Sequence, residues 1–336
     1  MTHEFKNIIK EFVIAKNAGL KCVLATVVDL DGSSYRRPGV RMLIREDNVM
    51  IGAVSGGCVE KEVLFQAQSV FEKQIAKLMT YDGRYRLGCE GILYLLLEPF
   101  SPNESLIVDF NLEIENRSFF KLSTSYKKEY GKLEGFGTFI HLNSKVYAFN
   151  ENTREQLNAL TFTQNMPPCQ RLLLIGGEHD TVQLAQFGIN MGWEVTVAVT
   201  PKEDKIKADF PGIDDLLNYE PEDFPVETID TNTAVILMTH SYVKDLKYLM
   251  VLKNSNPAYL GVLGPAKRRE KLLSELLEHD MEVKMDFIEN IHGPAGLNIG
   301  AITPQEIAIS ILAEILTVIR KTNPMMLKDK LKEIHH

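Results

Sequence analysis

The sequence predicts an α/β protein of two domains, because two different patterns meet at one proline pair. From Leu172 onward, short all-apolar runs alternate with helical periodicity: Leu172–Ile175, Val195–Val199, Ala234–Met238 and Tyr259–Leu263 read as strands, and Val182–Met191 and Pro304–Ile319 as helices. Uninterrupted apolar strands separated by helices imply a parallel sheet covered on both faces. This half is therefore a Rossmann-like, doubly wound parallel-sheet domain. Residues 1–100 instead mix an amphipathic helix, a hairpin and polar loops that carry two cysteines, which defines an N-terminal α/β cysteine-containing domain. Pro167-Pro168 stiffens the chain and blocks helix continuation, dividing it into 1–166 and 167–325.

In the first domain, a helix over Glu4–Ala18 places Phe5, Ile8, Ile9, Phe12 and Val13 on one face, with Gly19 as its C-cap. A buried strand follows at Cys22–Val28. Arg41–Arg45 and Val49–Val54 form a hairpin about a tight polar turn, Val59–Gln74 is a helix, and strands lie near Leu78–Tyr81 and at Ile92–Leu97. Between these elements run three polar loops, 29–39, 55–57 and 82–91, which carry arginines and glycines, with Cys58 directly after the second and Cys89 in the third. They are candidates for one shared site. Residues 101–165 give mixed signals, with a hairpin expected at Thr138–Ala148.

Composition bounds the function. With 336 residues, 45% of them hydrophobic, the chain can bury a large core. A net charge of −8 without any Lys/Arg-rich stripe argues against a general nucleic-acid surface. No apolar run approaches the roughly 20 residues of a membrane helix, and the N-terminal helix carries no cleavable signal. A cytoplasmic protein with no membrane partner is expected. Cysteines at 22, 58, 89 and 169 lack CxxC spacing, so they read as reduced thiols with no metal site.

The most informative stretch is Val54-Ser55-Gly56-Gly57-Cys58-Val59-Glu60. Gly56 and Gly57 let the backbone of a strand-to-helix turn approach a ligand, and the amides of the first helical turn favour an anion. Cys58 sits in the same field, which stabilises its thiolate. Cys58 and Cys89, each flanked by glycines, are the candidates for sulfur handling or metal ligation, whereas Cys22 reads as a packing thiol inside an apolar strand. In the second domain, Gly176-Gly177-Glu178-His179-Asp180-Thr181 occupies the place of a dinucleotide fingerprint but keeps only its first glycine. Glu178 repels phosphate, and Val199-Thr200-Pro201 supplies no acid at the end of the second strand. NAD(P) is therefore not the expected cofactor. His179, His240 and His292 are expected at the carboxyl edge of the sheet, in roles of ligand contact or proton transfer. Lys267-Arg268-Arg269 reads equally as an anion grip or as the solvated first turn of a helix.

These residues resemble a known family. Leu24-Ala25-Thr26-Val27-Val28, Gly32-Ser33-Ser34, Arg37-Pro38-Gly39, Val54 to Glu60, Gly88-Cys89-Glu90-Gly91 and Leu97-Glu98-Pro99 are similar to the N-terminal half of the XdhC/CoxI family. Thr239-His240, Tyr259 to Gly264 and the stretch from His292-Gly293-Pro294 to Glu314 are similar to its second half. The resemblance implies a maturation factor that binds molybdenum cofactor (molybdopterin) transiently, holds it while a cysteine desulfurase installs sulfur, and passes it to a molybdenum hydroxylase apoenzyme of the xanthine dehydrogenase type. It further implies a cofactor-insertion chaperone rather than a turnover enzyme, acting as a homodimer. For such an anionic ligand, Ser34, Arg36, Arg37 and Arg41 are candidate charge-assisted contacts beside Ser55, Gly56, Gly57, Cys58 and Cys89. Gly176, Gly177, His179, His240 and His292 are candidates from the second domain. The chain departs from the family pattern at Glu178 and Thr200. The alternatives are an NAD(P)-dependent oxidoreductase and a scaffold that bridges desulfurase and client.

Overall fold

The structure, a computed structural model, describes residues 1–330 apart from 33, 35, 36, 56, 58 and 84–90. Arg36, Gly56, Cys58 and Cys89 thus lie outside the described residues. The chain separates into two compact units, Met1–Pro168 and Cys169–His336.

The first unit runs α1 (Thr2–Asn17), β1 (Cys22–Asp31), β2 (Arg41–Arg45), β3 (Met50–Gly52), α2 (Glu60–Lys73), β4 (Ala76–Asp82), β5 (Ile92–Pro99), α3 (Glu104–Glu115), β6 (Phe120–Tyr126), β7 (Gly131–Leu133), β8 (Thr138–Leu142), β9 (Lys145–Ala148) and β10 (Leu160–Met166). One antiparallel sheet has the order β3-β2-β1-β5-β4-β7 and a second the order β10-β6-β8-β9. Alternation along β1 explains the layers. Val23, Ala25 and Val27 pack beneath Val59, Val63, Ala67, Val70 and Phe71 around α2. Leu24 turns the other way, into an aromatic core with Phe5, Phe100, Phe110 and Phe149, where rings meet edge-on or stacked at 5.1–5.7 Å. Residues 101–166, whose sequence signals are mixed, supply α3, β7 and the second sheet, in which β8 and β9 form the hairpin expected at Thr138–Ala148.

Register decides where the loops go. β1 pairs with β2 as far as Thr26↔Arg41 and with β5 as far as Asp31↔Ile92, while β4 pairs with β5 as far as Asp82↔Ile92 and β2 with β3 through Met42↔Gly52. The connections 32–40, 53–59 and 83–91 therefore all leave the sheet at the end where β1 finishes.

The second unit contains β11 (Arg171–Ile175), α4 (His179–Asn190), β12 (Glu194–Val199), β13 (Asp215–Asn218), β14 (Thr233–Leu237), α5 (Tyr242–Leu252), β15 (Tyr259–Val262), α6 (Ala266–His279), α7 (Met285–Glu289), β16 (Ile291–His292) and α8 (Pro304–Arg320). Its sheet has the order β13-β12-β11-β14-β15-β16, and every pairing is parallel. This is the doubly wound order expected from alternating apolar strands and helices. Leu173 and Ile175 face a core shared with α5 and α6, whereas Leu172 and Leu174 face α4 and α8. Thr303 and Glu306 close a capping box at the start of α8, with Pro304 at its first turn.

Candidate functional site

Ser55 and Glu60 organise the turn ahead of α2. The Ser55 amide donates to Glu60 Oε1 at 2.7 Å and its hydroxyl to Oε2 at 2.7 Å, while the Gly57 and Val59 amides donate to Ser55 Oγ at 3.2 Å each. Burial works against ionisation of Glu60, but the Ser55 hydroxyl and amide outweigh it and hold the carboxyl below its ordinary range. Two of the amides expected to face an anion are thus engaged inside the turn. The Ser55–Glu60 lock escaped the sequence reading because its spacing of five is not that of a capping box.

Arg41 lies on the opposite face of the sheet from α2, its guanidinium over the Phe5 ring of the aromatic core, and is buried at 7% exposure. Its Nη1 donates to the Gly39 carbonyl at 2.9 Å and to Gln164 Oε1, while Nε and Nη2 have no hydrogen-bond partner among the described residues. Burial lowers its pKa to about 10. Glu98, also buried, accepts from the Thr138 amide at 2.8 Å and from the Thr138 hydroxyl, and burial pushes its carboxyl up to about 7. Arg41 thus anchors the loop inward through Gly39. Ser34 is half-buried and Arg37 exposed, and both are engaged in further interactions. At the far end of β1, Lys128 bridges Asp29 at 3.1 Å and Asp31 at 2.8 Å, and Tyr126 and Tyr94 each donate 2.7 Å bonds to the same pair. This clamp holds the chain where it departs into the arginine loop.

In the second unit, Gly176 adopts φ +132°, and a Cβ there would lie 2.4 Å from the Met238 carbonyl oxygen, so only glycine fits between β11 and β14. Glu178 occupies the N-cap of α4 without a side-chain cap and is exposed. Thr181, standing where a packing glycine is usual, is fully buried. Close helix–sheet approach is supplied later, by Gly188, whose added Cβ would sit 2.8 Å from Leu172 Cδ2. Beyond β12, Thr200 is buried and caps a short turn through Glu203, whose Oε1 accepts from Thr200 Oγ1 at 2.9 Å and from Lys244 Nζ at 2.6 Å. Burial opposes ionisation of Glu203, yet Lys244 and Thr200 prevail and lower its pKa. An acid therefore does stand past the second strand, three residues beyond the expected place, with a lysine already on it.

His179 and His240 meet at the carboxyl edge of β11 and β14, lining with Glu178 and Asp180 a shallow depression of about 370 Å³. His240 Nε2 lies 3.7 Å from Asp180 Oδ2. The His240 backbone is left-handed, φ +55°, a strained state for a side-chain-bearing residue. Thr239 holds it there: its hydroxyl donates to Asp245 Oδ1 at 2.6 Å and accepts from the Ser241 amide at 3.2 Å, and Arg268 Nη2 pairs with the buried Asp245 at 2.7 Å. Arg268 is thereby structural, and Arg269 donates to the Ile291 carbonyl at 3.1 Å.

His292 does not join the other two. β16 aligns it with Gly261, in the middle of β15, and its ring stacks on Tyr259 at 4.4 Å with Nδ1 3.1 Å from Glu314 Oε1. The expectation of three histidines at one sheet edge thus holds for two. The third was misplaced because its strand is only two residues long. Among the described residues, no group of three or more His, Cys, Asp or Glu is arranged to hold a metal, and no helix is long and apolar enough to cross a membrane.

A parallel-sheet Rossmann unit, following an antiparallel unit with three loops at one sheet end, defines the class to which the comparisons belong. The family model described as "XdhC Rossmann domain" matches residues 172–315, and that described as "XdhC and CoxI family" matches 15–82, together more than half of the chain. The protein belongs to the XdhC and CoxI family. It is 28% identical over 315 residues to a Bacillus subtilis protein described as a probable xanthine dehydrogenase subunit, covering 88% of this chain and 92% of that one. It is 26% identical over 326 residues to the molybdenum cofactor insertion chaperone PaoD of Escherichia coli, covering 95% and 90%. Among solved structures, one described as a xanthine dehydrogenase from Bacillus halodurans matches with a TM-score of 0.76 at 27% identity, covering 94% of this chain and 96% of that one.

Proposed function

We propose that the protein is a molybdenum cofactor-binding maturation factor for a molybdenum hydroxylase of the xanthine dehydrogenase type, holding cofactor during sulfuration and insertion. The observation that carries this reading is the end-to-end match to a relative named as a molybdenum cofactor insertion chaperone, which covers nearly all of both chains. The geometry supports it through the sheet register, since loops 32–40, 53–59 and 83–91 leave one end of the N-terminal sheet and between them carry Arg36, Arg37, Cys58 and Cys89. Arginine forks suit the phosphate of a pterin cofactor, and soft thiolates suit its metal. Cys58 and Cys89 handle sulfur or ligate the metal, Ser34 and Ser55 line the same loops, and Arg41 anchors the first loop from within.

The partners on this reading are the apoenzyme and a cysteine desulfurase, with a second copy of the chain completing a cytoplasmic homodimer. The second unit does not use NAD(P) for hydride transfer. Glu178 is exposed at the N-cap, and the Glu203 carboxylate lies beside Gly177, only 3.2 Å from where a Cβ would be. Both oppose a pyrophosphate at that turn. Gly176, Gly177, His179 and His240 are the ligand contacts proposed for the second unit.

Transfer tests this directly. The protein loaded with isolated molybdenum cofactor should activate a molybdenum hydroxylase apoenzyme, and a Cys58→Ala, Cys89→Ala double variant should not. Equal activation by the double variant would favour a bridging scaffold. Calorimetry with NADH and NADPH should give affinities no tighter than about millimolar, ~4 kcal/mol. Micromolar binding with hydride transfer to any acceptor would make the second unit a dehydrogenase.

A further inference from the structure

The second unit contains a histidine–carboxylate pair that the proposed function leaves unused. Gly261 in β15 has no side chain, so Tyr259 reaches across it; a Cβ there would fall 2.7 Å from Tyr259 Cε1. The tyrosine ring thereby stacks on His292, the partner of Gly261 in β16. Glu314, on α8, collects three donors: the Tyr259 hydroxyl, the Gly296 amide at 2.7 Å and His292 Nδ1 at 3.1 Å. Burial opposes its ionisation, but His292 and Tyr259 together lower its pKa. An anionic Glu314 accepts a hydrogen bond from Nδ1–H, and in the neutral imidazole this tautomer leaves Nε2 with a free lone pair. No partner for Nε2 is found among the described residues, and the His292 side chain is 28% exposed.

His292 lines a cavity of about 1220 Å³ near the amino-terminal edge of β14 and β15, at the opposite edge of the sheet from His179 and His240. The charges on its wall balance, since Lys253, Lys284 and Lys321 are offset by Asp280, Glu282 and Asp286. Asn232, Asn254, Asn256 and Asn290 add amides that both donate and accept, and Leu260, Phe287 and Val318 add an apolar floor. A charge-balanced wall rich in carboxamides, with one oriented acceptor and an apolar floor, suits a flat neutral ligand with adjacent N–H and C=O groups.

We propose that this cavity is a second ligand site, independent of molybdenum cofactor binding, which takes a neutral lactam heterocycle of the purinone or pteridinone type. His292 Nε2 accepts a ligand N–H, and Glu314 and Tyr259 position the imidazole. Calorimetry on the full chain with hypoxanthine and with pterin should show at least one binding more tightly than about 1 mM, and which of the two binds identifies the source. His292→Phe keeps a ring against Tyr259 but has no nitrogen, and should weaken binding at least tenfold while melting within a few degrees of the parent. Nitrogen NMR of the histidine side chains should show His292 protonated at Nδ1, with its Nε2 resonance moving on titration. Glu314→Gln should mix the two tautomers. Absence of binding by both probes at millimolar concentration, unchanged affinity in His292→Phe, or a parent protein protonated at Nε2 would overturn the proposal. If the phenylalanine variant fails to fold, the tautomer and titration shift of the parent protein decide it.

Discussion

The turns that lead into α2 and α4 are both glycine-rich strand-to-helix turns, yet they are held in opposite ways. Ahead of α2, side chains hold the turn: Ser55 gathers the Gly57 and Val59 amides, and Glu60 gathers Ser55. Ahead of α4, the backbone does so, because Gly176 is wedged against the Met238 carbonyl and no side chain caps the helix. A glycine pair therefore marks where a chain bends, while the neighbours decide whether its amides remain open to a ligand. The same contrast runs through the buried charges. Asp245 in the second unit is paired with Arg268, whereas no ion pair reaches Glu98 in the first unit among the described residues.

Substituting the glycines is the strongest way to break this contrast. Gly176→Ala drives a Cβ to 2.4 Å from backbone oxygen at φ +132° and should cost more than about 3 kcal/mol or prevent folding. Gly57, at φ +116° with no described atom within 4 Å of an added Cβ, should cost only about 1–2 kcal/mol as alanine. Urea denaturation compares the two, and equal losses would mean that the first turn is also held by backbone packing.

Glu98 gives the next largest effect. Its folded pKa, near 7, stands above the ordinary value of 4.5 because burial disfavours the anion. Its contribution to stability is full below about pH 4.5, where folded and unfolded chains both hold the proton. It declines as pH rises toward 7, where only the unfolded chain has released the proton. The parent protein should therefore lose a few kcal/mol relative to Glu98→Gln between those pH values. A constant difference between the two proteins across that window would show that Glu98 titrates normally.

Glu60 behaves with the opposite sign and more weakly. Its folded pKa is lowered, so its contribution is present above about pH 4.5 and is lost as pH falls through the folded value. Glu60→Gln should cost about 1 kcal/mol at pH 7, the worth of one charge-assisted hydrogen bond, and the deficit should shrink in acid. A deficit independent of pH would assign the loss to packing.

Much of this architecture was legible in the sequence. Runs such as Leu172–Ile175 and Val195–Val199 announced a parallel sheet because a strand buried on both faces has no polar alternation to confuse it. β6 and β10 hid in 101–165 because Lys121-Leu122-Ser123-Thr124-Ser125 and Leu160-Thr161-Phe162-Thr163-Gln164 carry their apolar residues among hydroxyls. The site was legible as loops rather than as contacts. Strand ends at Arg41, Gly52, Asp82 and Ile92 follow from apolar runs, but their register, which sends three loops to one sheet end, is a tertiary fact. Glu203 was missed for the same reason: its spacing from Gly177 carries no signal, and only the turn after β12 brings its carboxylate back. Arg41 read as a ligand contact by residue type, although its Nη1 is committed to Gly39 and Gln164 and its side chain is buried.

On the proposed function, the chain carries molybdenum cofactor through the loops at the end of its N-terminal sheet. The most direct test is the molybdenum and pterin content of protein purified from molybdate-fed cells, measured for the parent and for Cys58→Ala under identical conditions. The account predicts cofactor that co-purifies with the parent and is lost from a Cys58→Ala protein of unchanged melting temperature. Equal cofactor content in the two proteins, or none in the parent, would contradict it.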